Sequence, residues 1–165
     1  MSESAVQEGE AAWRRRLGSA ANNRGWSLSE KSTRTPEEDQ EMLHAAHASA
    51  HLWSTVGNEH NLALGRLLLG QAHALLGNSR YAMSYAEAAH TYFTSRACEP
   101  WELAISHAVL ANAAHCIGNR GLHEASYQTA AALISKLESQ EDRKILAATL
   151  NVVPTPEGSG RVGVA

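Results

Sequence analysis

A chain of 165 residues and 17.7 kDa is long enough for one core and buries roughly 70% of its unfolded surface on folding. Ala occurs 29 times and Leu 18, against 12 for Ile, Val and Phe together; that bias favours helices, because the β-branched and aromatic residues that fill sheets are scarce. A net charge of −3 with no basic stripe argues against nucleic acid as a partner, and apolar runs such as Leu67–Leu69 fall far short of the ~20 residues a membrane helix needs.

Residues 1–9 read as an N-terminal tail, followed by a single domain over 10–154 and a C-terminal tail over 155–165. The first 30 residues carry Arg14, Arg15, Arg16 and Arg24 but no apolar stretch of signal-peptide length, so a cytoplasmic protein is expected. Helices are predicted at 10–31, 36–56, 59–76, 79–95, 100–117, 120–138 and 141–151. The start at 36 is set by Thr35 as cap, Pro36 in the first turn, and Glu37 and Glu38 against the positive end of the helix dipole. Pro100, followed by Trp101 and Glu102, marks a second start of that kind. Gly57-Asn58, Gly77-Asn78 and Gly118-Asn119 each follow a helical run, and each glycine is expected to supply the left-handed residue that ends it. Connections of two to four residues force successive helices into antiparallel hairpins.

Sliding residues 61–95 onto 102–136, an offset of 41, superposes Ala63 on Ala104, Leu69 on Leu110, Gly77-Asn78 on Gly118-Asn119, and Ala89 on Ala130. Two hairpins therefore share one pattern, in which a small residue seven before the turn glycine and another twelve after it let the helices approach. Leu69-Gly70, Gly77, Ala82 and Ala89 in one unit, with Leu110-Ala111, Gly118 and Ala130 in the next, resemble the tetratricopeptide repeat. His123 stands where that pattern has a small residue, Arg66 and His107 replace its early aromatic, and the 41-residue offset exceeds its usual ~34. The resemblance implies an all-α, right-handed stack of three helical hairpins with a capping helix, residues 10–56 forming the most diverged hairpin. Asn22-Asn23-Arg24-Gly25-Trp26, His51-Leu52-Trp53 and Trp101-Glu102-Leu103-Ala104 are also similar to segments of a group of uncharacterised bacterial proteins, which implies no activity.

Three of the nine histidines form a pattern. His44, His47 and His51 lie at i, i+3 and i+7, within about 60° of arc on the helix that begins at Pro36. Glu37, Gln40, Ser54 and Thr55 share that face, while Met42, Ala45, Ala46, Ser49, Trp53 and Val56 take the other. Neutral imidazoles one turn apart can share a transition metal; a solvated polar face is the plainer reading. A metal- or small-molecule-binding protein on this face, catalytic or not, is the alternative function.

Other chemistry leaves little trace. Gly158-Ser159-Gly160-Arg161-Val162-Gly163 matches the dinucleotide fingerprint in letters but lacks the strand and helix that make it work. Asp39 and Asp142 suit helix starts, and Cys98 and Cys116 read as buried thiols. No catalytic residue and no cofactor is expected. A protein or peptide partner fits better, held in a concave groove lined by the first helix of each hairpin. The candidates to project into it are Asn22, Asn23 and Arg24 on the first hairpin, Arg66 and Gln71 on the second, and Asn112 and His115 on the third. A homo-oligomer is left open.

Overall fold

A computed structural model describes residues 3–157, with side chains from residue 9 onward. Those residues are all-α, with seven helices and no strand: α1 (Glu3–Ser29), α2 (Pro36–Val56), α3 (Glu59–Leu75), α4 (Ser79–Thr94), α5 (Pro100–Cys116), α6 (Arg120–Ser135) and α7 (Gln140–Asn151). No helix among them is long and apolar enough to cross a membrane.

The punctuation works largely as its chemistry requires. At α2 the Glu38 N–H donates to Thr35 Oγ1 at 3.3 Å, and the Thr35 N–H donates back to Glu38 Oε2 at 3.1 Å, a reciprocal cap over Pro36. Gly77 and Gly118 have φ of +73° and +75°, the left-handed region that ends α3 and α5. Gly57 does not follow them: its φ of −91° and ψ of −176° are extended. Asn58, next to it, caps α3 by accepting from the Asn61 N–H at 3.0 Å. Glycine is still required at 57, since a Cβ there would lie 2.6 Å from the Trp53 carbonyl oxygen.

Both ends of the domain differ from the sequence expectation. α1 begins at Glu3, so most of the expected tail over 1–9 is helical. At the other end, Pro156 is buried, and the Pro154 carbonyl accepts from His123 Nε2 at 2.7 Å. Pro154 and Pro156 thus tie this segment to the domain. The fingerprint-like stretch from Gly158 onward lies outside the described residues.

The internal repeat is visible in the element boundaries, because α3 and α4 are displaced by 41 residues onto α5 and α6 at both ends of each helix. Ala63 and Ala104 are fully buried, as are Ala89 and Ala130. α1 pairs with α2, α3 with α4, and α5 with α6, while α1, α3, α5 and α7 touch one another in sequence. This explains why α3 and α5 are apolar nearly all round: each is covered by its hairpin mate, by the preceding helix and by the next member of the row. Gly70 sits at a close crossing, where a Cβ would meet Val109 Cγ1 at 3.0 Å and the Ala86 nitrogen at 3.2 Å. The core forms two adjoining clusters, one centred on Leu28, Met42 and Leu68, the other running through Phe93, Val109 and Leu146.

Candidate functional site

The row α1, α3, α5, α7 curls enough for its last member to meet the end of its first. Thr149 Oγ1 on α7 donates to Glu30 Oε1, just beyond α1, at 3.2 Å. The concave side encloses a cleft of about 360 Å³, within the ~300–1,000 Å³ typical of ligand sites. Each wall is one helical stripe. α1 contributes Ser19, Asn22, Asn23 and Trp26, which recur at helical spacing and run on to Glu30. α3 adds Asn61, Leu64 and Gly65, α5 adds Trp101 and Ile105, and α7 adds Ile145 and Thr149. Trp53 reaches in from α2 because Gly18 lets its indole lie against α1, where a Cβ would stand 3.1 Å from Trp53 Nε1.

The surface inside is aromatic with a few placed polar groups. Three of the four tryptophans line it; Trp13 is 57% exposed elsewhere on α1. Asn22 Nδ2 lies 3.5 Å from Asn23 Oδ1, and Asn61 uses its Oδ1 to accept from the Asn58 N–H at 3.1 Å, so its amide nitrogen remains to donate. Glu30 is the one ionisable side chain among the lining residues. Burial raises its pKa, and the bond from Thr149 opposes that shift only in part.

The seven groove candidates go to different places. Asn22 and Asn23 line the cleft. Arg24 points away to Glu41, which accepts from Nε and Nη2 at 2.7 Å each, a forked pair joining α1 to α2; this bond holds the Glu41 carboxyl below its usual range. Gln71 and Asn112 are buried and bonded to each other at 3.0 Å. Polar residues on helices covered from every side are sealed between neighbours instead of facing a groove. Arg66 is half-buried outside the lining. His115 is exposed at the far end of α5, its ring 5.0 Å from that of His123, beside Arg120 and Glu157 in a separate recess.

The histidine stripe of α2 is exposed as its periodicity predicts, but it gathers no site. Seven residues of helix separate His44 from His51 by about 10 Å along the axis, too far to share one ion through ~2 Å bonds. His47 turns its ring to His73 on α3, at 5.5 Å between centroids. Among the described residues no three His, Cys, Asp or Glu side chains converge in a metal-holding arrangement.

Trp26, Trp53, Trp101, Asn61, Glu30 and Thr149 were missed as site residues. The signal was present in α1, where Ser19, Asn22, Asn23, Trp26 and Glu30 make a polar and aromatic stripe with a period near 3.6. The contributions of α2, α5 and α7 depend on the curl of the row, which no local pattern encodes. Comparison with protein-family profiles, with curated proteins and with solved structures finds no match.

Proposed function

We propose that this chain is a tetratricopeptide-like, non-enzymatic interaction module that binds a peptide in its concave cleft. The observation that carries the reading is that α1, α3 and α5, the first helices of the three hairpins, all face one tryptophan-lined cleft. An extended peptide offers alternating N–H and C=O groups together with side chains. The cleft meets both, with asparagine amides that donate and accept and with indole faces for apolar atoms. Glu30 is the one carboxylate of the lining, set among asparagines and indoles.

Selection from a peptide display library tests the reading. A selected peptide, titrated into 15N-labelled protein, is expected to shift the indole N–H signals of Trp26, Trp53 and Trp101 while Trp13 stays in place. Peptides that bind but leave those three indoles unmoved would remove the cleft as the binding site.

A further inference from the structure

Three indoles and one carboxylate share the cleft, and none of its lining residues is Lys, Arg or His. Glu30 accepts from Thr149 and has no cation against it in the lining, although half-buried carboxylates are stabilised chiefly by a nearby positive charge. Indole faces attract cations through their quadrupole, and most strongly where water is excluded. An anionic guest would find no cation in the lining and would face the Glu30 carboxylate; a purely apolar guest would leave that carboxylate covered and unpaired.

We propose that the cleft selects a peptide carrying a lysine or arginine, its cationic side chain packed on the indoles of Trp26, Trp53 and Trp101 with Glu30 as counter-ion. This rests on the reading of the cleft as a peptide site and names its ligand chemistry. Asn22 and Asn23 stand along the α1 wall, both about two turns from Glu30, positioned for peptide units that flank the basic residue. A cavity near the lower end of the ligand-site range, about 360 Å³, holds one long side chain with its neighbouring backbone.

The test compares the capped tripeptides Ac-Ala-Lys-Ala-NH2 and Ac-Ala-Arg-Ala-NH2 with the norleucine tripeptide, which keeps the length and loses the charge. The readout is the indole N–H shift of the three cleft tryptophans, with Trp13 as internal control. Lysine and arginine are expected to bind at least about tenfold tighter than norleucine. Glu30→Gln, which retains an acceptor for Thr149, should bring the lysine peptide down to the norleucine level. Norleucine binding as well as lysine in the wild type overturns the cationic guest while leaving a peptide site in place, and it does so whether or not Glu30→Gln folds. An unchanged affinity in folded Glu30→Gln overturns it too. n-Butylammonium binding as tightly as the lysine tripeptide overturns the peptide in favour of a free amine. If none of these tripeptides moves the cleft indoles, the peptide reading falls with the inference.

Discussion

Gln71 and Asn112 stand 41 residues apart, the period of the repeat, and are bonded to each other: Asn112 Nδ2 donates to Gln71 Oε1 at 3.0 Å in the buried seam between α3 and α5. Two equivalent positions of successive units thus meet, so the first helices pack along matching lines. Asn112→Ala leaves Gln71 buried without a partner, its own amide nitrogen already unbonded among the described residues. The expected cost is about 1–3 kcal/mol in urea unfolding, whereas Gln71→Met with Asn112→Leu should recover most of it. A neutral Asn112→Ala would show that this bond does not join the two hairpins.

Glycines at two positions of α3 give opposite expectations. Gly70→Leu drives a side chain into Val109 and the backbone of α4 and should cost about 1–3 kcal/mol or more by overpacking. At Gly65 a Cβ finds its nearest neighbour at 3.6 Å, ordinary contact with Ala50, so Gly65→Ala should stabilise by about 0.5–1 kcal/mol. Thermal melts of the two variants check this. Equal midpoints would contradict the close crossing of α3 with α4 and α5.

Acid should loosen the fold through its buried histidines. Burial lowers the pKa of His73, His90 and His123, and burial together with the neighbouring His90 ring takes His107 down to about 4. The unfolded chain binds these protons near pH 6.5, while the folded chain resists them. Stability is therefore complete above about pH 6.5 and declines as pH falls toward 4. Glu30 opposes this, its raised pKa favouring the folded state as it takes up a proton. Below that range Glu38, held down by Lys31, adds to the loss. Urea midpoints at pH 7.5 and 4.5 measure the effect, which His107→Leu should reduce. A midpoint unchanged between those pH values would show that the histidines are not buried neutral.

Much of the helical layout was legible because helix ends are written in local chemistry. Thr35-Pro36, Pro100, Gly77 and Gly118 fix caps within a few residues of themselves, so six of the seven helices were placed with small errors. The start of α1 was missed, seven residues ahead of the expected position 10. His123 shows the limit of a repeat pattern: it departs from the alanine at the equivalent place because it is buried there and ties down Pro154, a contact across 31 residues. The site was half legible. Asn22 and Asn23 were found from their polarity on a first helix, but the same rule picked Gln71 and Asn112, which the packing of α3 on α5 seals away. Trp53 and Thr149 enter the cleft only through tertiary packing.

The most direct test of the concave cleft as the peptide site is calorimetric titration of a display-selected peptide into wild type and Asn22→Ala/Asn23→Ala, with the melting temperature of each. Alanine is the better helix former, so the double variant should melt at the same temperature or higher while binding falls at least about tenfold. Undiminished affinity in the folded variant would contradict the account.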